Sequence, residues 1–200
     1  MRVSGLRIIP VGFLILASSA SLWAQQMTLE LDPTATRIEF TLPATLHTVH
    51  GTFALKRGTL HFDPSTGSTS GVMVVDVKSG QSGSEGRDRK MHKDVLQSDQ
   101  FSEATFSPSK VSGTLVPQGT STIQVDGIFR VHGGDHPITL SVPLEIKGTT
   151  ITARTHLSIP YVEWGMKNPS TFMLRVGEKV ELEIEATGHL SQEMQAGAVR

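Results

Sequence analysis

Four stretches of this chain alternate apolar and polar residues with period two, and this constrains the fold more than any other feature. Ile123, Val125, Gly127, Phe129 and Val131 alternate with Gln124, Asp126, Ile128 and Arg130. Ile138, Leu140, Val142, Leu144 and Ile146 alternate with Thr139, Ser141, Pro143, Glu145 and Lys147. Ile151, Ala153, Thr155, Leu157 and Ile159 form a third set, and Val180, Leu182, Ile184, Ala186 and Gly188 a fourth, the last interleaved with Glu181, Glu183 and Glu185. A strand sends successive side chains to opposite faces, so each stretch has one dry and one wet side. Strands of a βαβ sheet are apolar on both faces. One-faced strands separated by Gly, Pro, Asn, Asp and Ser instead indicate an all-β antiparallel meander, as a sandwich or a closed barrel.

The earlier part of the chain fits the same scheme. Ile38, Phe40 and Leu42 alternate. Phe53 and Leu55, then Leu60 and Phe62, predict a hairpin turning at Lys56-Arg57-Gly58. Val72 to Val77 is apolar on both faces apart from Asp76, which predicts a strand covered on its outer side too. Phe101 to Val116 carries Phe106, Val111 and Leu115 between turn residues, bringing the expected number of strands to eight or nine. One short helix is expected at Gly86–Ser98, where Met91, Val95 and Leu96 form an apolar stripe, and Ser191–Arg200 reads as a frayed tail.

The first 24 residues read as a secretory signal. Arg2 and Arg7 supply the positive start, Ile8 to Ala17 the apolar run, and Ala24 the small residue before the cut. The mature domain is then expected at residues 25–190, in the periplasm or outside the cell. The mature chain from residue 25 onward, with 16 Lys+Arg against 19 Asp+Glu, has a net charge of −3. That balance argues against nucleic acid and against an anionic membrane surface as partners. Cysteine is absent, which removes disulfides, thiol catalysis and Cys-based metal sites.

Catalytic signatures are also absent: there is no G-x-S-x-G elbow and no phosphate-binding glycine loop. His47 and His50 are spaced H-x-x-H but lie between Pro43 and Gly51, off any helix, so no metal site is expected from them. His132-Gly133-Gly134-Asp135-His136 joins two alternating strands, and hairpin chemistry accounts for its glycines. The basic cluster Arg87-Asp88-Arg89-Lys90 reads either as a solvated helix face or as a polar rim where Arg87 or Asp88 meets a head group. Trp164 and Phe172 bracket an irregular stretch and read as a plug at one end or as ligand contacts.

Four segments together resemble the YceI-like family of periplasmic lipid-binding proteins. They are Arg37-Ile38-Glu39-Phe40 with His50-Gly51-Thr52-Phe53, Gly86-Arg87-Asp88 with Leu96 and Ser98-Asp99-Gln100-Phe101, Val131-His132-Gly133 with His136-Pro137-Ile138-Thr139-Leu140, and Leu157-Ser158-Ile159 to Trp164-Gly165 followed by Val180 to Ile184. The resemblance implies an extended antiparallel, eight-stranded lipocalin-like β-barrel with one short helix. It also implies binding of an isoprenoid chain, a polyprenyl lipid or isoprenoid quinone, in place of any cofactor.

Inward strand positions then name the expected wall: Phe53, Leu55, Val75, Val77, Ile123, Val125, Phe129, Leu140, Val142, Leu157, Val180, Leu182 and Ile184, with Arg87, Asp88, Trp164 and Phe172 at the ends. The leading expectation is a carrier without catalysis, as a monomer or homodimer that meets membrane proteins transiently. Two rivals stand beside it. One is a filled barrel or sandwich that serves only as an interaction module, and the other a hydrolase or isomerase using His132, Asp135 or His136.

Overall fold

The computed structural model describes residues 26–45 and 47–193, so the expected signal (1–24) and residues 194–200 of the expected tail lie outside the described residues. The alternation is realised as nine antiparallel strands: β1 (Gln26–Leu31), β2 (Arg37–Leu42), β3 (Val49–Phe62), β4 (Thr69–Gln81), β5 (Glu103–Ser112), β6 (Gly119–Val131), β7 (Gly134–Lys147), β8 (Thr150–Ile159) and β9 (Val180–Glu193). β9 thus continues three residues past the expected domain boundary, pairing with β1. From β3 to β9 each strand pairs with the next, and β1 and β2 close the ring. Met27–Glu30 pair with the end of β3 and Ile38–Leu42 with its start, while both strands also pair with β9. β1 and β2 are therefore one interrupted strand, and nine segments fill eight positions of a closed barrel. The interruption is an Asx turn in which Asp32 Oδ1 accepts from the Thr34 backbone N–H at 2.8 Å and its hydroxyl at 2.7 Å. Strands of 13 or 14 residues, at about 3.3 Å per residue, make the barrel elongated.

The hairpin expected at Lys56-Arg57-Gly58 does not form. β3 runs straight through these residues, and its register against β4 shifts between Leu55 and Arg57. A β-bulge absorbs the extra residue and leaves both Lys56 and Arg57 exposed, so a polar doublet next to glycine imitates a turn. Gly58 is required by packing instead, since a Cβ there would lie 2.6 Å from Leu31 Cδ1. The chain actually reverses at Asp63–Ser68, where Asp63 accepts from the Ser65 backbone and hydroxyl. The two-faced β4 follows the expectation, with Val74 only 1% exposed. Its cover is a pair of ion pairs: Lys56 and Arg57 on β3 both reach Glu103 on β5, across β4, at 2.7 and 3.7 Å.

Two connections shape one end of the barrel. Between β4 and β5 lies α1 (Glu85–Lys90), which widens directly into a π-helical turn, Met91–Leu96. The wider winding places Met91, Val95 and Leu96 on one side, against the barrel core. Between β8 and β9 lies the irregular segment 160–179, tied down by Tyr161, whose hydroxyl donates to the Gly177 carbonyl at 2.7 Å. Burial pushes that phenol up to about 12. At the same end β6 and β7 join through a tight turn with His132 and Gly133 both at positive φ, as a two-residue hairpin loop requires.

Two seams of the ring are short, β4–β5 with ladder pairs only over Met73–Asp76 and β7–β8. β6 and β7 pair along their whole length, but β7 pairs with β8 only over Leu144–Lys147. The ladder stops where Pro143, which has no N–H to donate, would come next. Beyond it the Thr155 hydroxyl donates to the Ser141 carbonyl at 3.2 Å, a side-chain link in place of the ladder. Trp164, from segment 160–179, stacks flat on His136 of β7, with ring centroids 3.8 Å apart, and so packs against β7 at the open end of this seam.

Candidate functional site

Inward residues of all nine strands enclose a cavity of about 600 Å³. Packed interiors leave few voids larger than a water molecule, so a space of this size is not a packing defect. It lies in the range of small-molecule sites. The outer face carries the charge and the inner face the apolar side chains, which is the inverse of a membrane-spanning barrel.

Most residues expected at the wall are there: Phe53, Val75, Val77, Ile123, Val125, Phe129, Leu140, Val142, Leu157, Val180, Leu182 and Ile184 line the cavity, as does Arg87. Four residues are placed elsewhere. Leu55 points inward but is buried against Leu31 and Ile38, behind the wall. Asp88 turns to Ser82, accepting from its backbone N–H at 2.9 Å and from its hydroxyl. Trp164 packs against Phe129 at 6.0 Å and on His136, whose strand phase is inward, so it plugs the barrel end beside the cavity without lining it. Phe172 is 99% exposed, because the Thr171–Leu174 turn directs Leu174 to the cavity and Phe172 to solvent.

Strand periodicity missed the contributions from non-strand segments. Met91, Val95 and Leu96 of the π-helical turn, and Tyr161, Met166, Pro169, Leu174 and Val176 of segment 160–179, all line the cavity. The apolar stripe in the Gly86–Ser98 helix was visible, but nothing in its spacing says that it faces a void. At this end His47, Ser82, Arg87 and Lys90 reach the wall, while Thr69, Thr105, Arg154 and Thr155 are the polar residues elsewhere along it. Arg87 is held in place: Nε donates to Ser82 Oγ and Nη2 to the Ser82 carbonyl, both at 2.7 Å. Lys90 Nζ donates to the Pro169 carbonyl at 3.2 Å, linking α1 to segment 160–179. At the opposite end Ile123, Leu144, Ile146 and Ile151 pack into an apolar cluster. The site is thus a dry elongated space with a basic rim at one end.

The groups considered for catalysis are each engaged separately. Asp135 takes a bidentate contact from Arg130, which holds its carboxyl below the usual range. His132 lies 3.1 Å from Gln97 Oε1 and packs tilted against Phe101, and burial lowers its pKa. The His136 ring lies against Trp164. Among the described residues, no hydrogen bond joins any two of these three groups.

Residues 29–188 match the family described as YceI-like domain. No curated protein sequence matches the chain. Among solved structures, a polyisoprenoid binding domain from Saccharophagus degradans implicated in plant cell wall breakdown is 16% identical over 82% of this chain and 98% of its own, with a TM-score of 0.65. Burkholderia cenocepacia BcnA is 18% identical over 78% of this chain and 98% of its own, with a TM-score of 0.64. A Campylobacter jejuni YceI protein is 16% identical over 76% of this chain and 88% of its own, with a TM-score of 0.55. At these identities the likeness is one of fold.

Proposed function

Because the chain belongs to the YceI-like domain family, we propose that it is an exported carrier that holds an isoprenoid lipid, a polyprenyl lipid or isoprenoid quinone, inside the barrel without transforming it. The observation that carries this reading is the apolar cavity of about 600 Å³ running between β-strands that have no other reason to leave space. A filled interaction module would have packed it. The name of the Saccharophagus degradans neighbour supports the ligand class, and the signal-like residues 1–24 support export.

The physical case for an isoprenoid rests on shape and on the absence of polar demand. Medium-sized Val, Ile and Leu side chains on an elongated wall suit a slim branched chain better than a flat polycycle. Burying one five-carbon unit gains roughly 3–4 kcal/mol gross at about 0.8 kcal/mol per CH₂. Ordering the flexible chain returns part of that gain. Arg87 and Lys90, at the basic rim, are positioned to meet the polar head, with the chain running toward the Ile123–Ile151 end.

Organic extraction of protein purified from its native host, followed by lipid mass spectrometry, tests the proposal. A stoichiometric isoprenoid lipid is expected. Recovery of none, together with no uptake of added polyprenyl lipid or quinone, would overturn it.

A further inference from the structure

Two large apolar side chains stand out from an otherwise polar surface. Phe172 is 99% exposed and its neighbour Met173 86% exposed, whereas Ile128, the other exposed large hydrophobic among the described residues, is at 38%. They occupy the tip of a defined turn. Thr171 N–H donates to the Leu174 carbonyl at 2.8 Å, and Leu174 N–H donates to Thr171 Oγ1 at 3.2 Å. The turn is anchored to the chain before β3, where Thr45 N–H donates to the Arg175 carbonyl at 2.9 Å and Gly177 N–H to the Pro43 carbonyl at 2.8 Å. The tip therefore holds its side chains outward on a braced base.

It sits at the end of the cavity that carries Arg87 and Lys90. Between the flanking Glu163 and Glu178, the segment from Trp164 to Gly177 has two charged residues, Lys167 and Arg175, both cationic and both exposed. Lys90 approaches the same segment through its bond to Pro169. Leu174, next to the exposed pair, lines the cavity. Apolar side chains flanked by cations suit an interface where acyl chains lie under anionic head groups.

We propose that the Phe172–Met173 tip docks the barrel, rim first, onto an anionic lipid bilayer, inserting both side chains between head groups while Lys167 and Arg175 meet the surface charge. The local patch thereby outweighs the net charge of the mature chain, since electrostatic attraction to a membrane falls off within a Debye length. The inference rests on the carrier reading for its purpose, because an isoprenoid lipid must leave and enter a bilayer. Docking itself requires no cargo.

The test is co-sedimentation of the mature protein with vesicles of phosphatidylcholine and phosphatidylglycerol at three to one, free of isoprenoid. Wild type is expected to bind these vesicles, to bind pure phosphatidylcholine vesicles more weakly, and to be released by salt. Phe172→Ser/Met173→Ser is expected to lose about tenfold or more in affinity, and Lys167→Glu/Arg175→Glu a similar factor. Both variants should keep the wild-type thermal transition and the wild-type uptake of a short isoprenoid added in solution. Normal uptake with no vesicle binding by wild type would overturn docking while leaving the carrier reading intact. Vesicle binding unaffected by both double variants would overturn it as well. Self-association that depends on Phe172 and Met173, without vesicle binding, would make the tip a contact between copies of this chain.

Discussion

His156 on the outer face of β8 is held between two carboxylates, with Nδ1 2.7 Å from Glu183 Oε1 and Nε2 2.9 Å from Glu181 Oε2. The Glu183 hydrogen bond, reinforced by the charge of both glutamates, raises its pKa above the ordinary 6.5. A raised folded pKa means that the stabilisation is fully present below the unfolded value and is lost as pH climbs through the folded one. His156→Gln should therefore lower Tm most below pH 6.5, and the gap to wild type should close as pH is raised past neutrality. The effect will be small, because the pairs are solvent-exposed. A gap that widens with pH would show that the glutamates do not stabilise the charged ring. On the inner face, Ala153 and Ala186 are cross-strand partners on β8 and β9 and both line the cavity. Ala186→Phe would direct a ring into the cavity, so the cost in urea unfolding should stay at or below the roughly 1–3 kcal/mol of an enlarged core side chain. Isoprenoid uptake should fall sharply in the same variant; unchanged uptake would mean that the ligand lies elsewhere.

At the scale of elements, the β7–β8 seam is one place where the barrel departs from a uniform ring. Alternate amides of residues 135–142 have no ladder partner on β8, so they should exchange with solvent faster than those of β6, which pairs along its whole length with β7. Hydrogen exchange read residue by residue checks this, and uniform protection across β6 to β8 would contradict it. The seam was partly legible in the sequence, since Pro143 sits inside a strand pattern and removes a donor. The inward faces of β6 to β9 were legible outright, because period two survives wherever a strand has one wet side. The bulge in β3 was not, because Lys56-Arg57-Gly58 carries the chemistry of a turn and only the partner strand reveals that the chain continues. Nor was the lining from segment 160–179, where Met166, Leu174 and Val176 follow no period. Phe172 shows the same gap from the other side: an aromatic in an irregular segment has no phase, and only the turn sets its direction.

For the whole molecule, closure and cavity are two consequences of one arrangement. Eight strand positions leave an interior just wide enough for side chains or one slim ligand. The long strands draw that interior out, with the apolar Ile123–Ile151 cluster at one end and the rim of Arg87 and Lys90 at the other. Such a space selects by length more than by polar recognition, as its charged groups gather mainly at one rim. Binding should then strengthen with each isoprene unit until the chain fills the cavity, and stop strengthening when further units project into water. The most direct measurement is a set of dissociation constants for delipidated protein against one head group carried on isoprenoid tails of increasing length. A stepwise fall in Kd followed by a plateau, with the plateau reached at a shorter tail in Ala186→Phe, is the predicted result. A Kd independent of tail length, or no saturable binding at any length, would contradict the reading of the interior as an isoprenoid site.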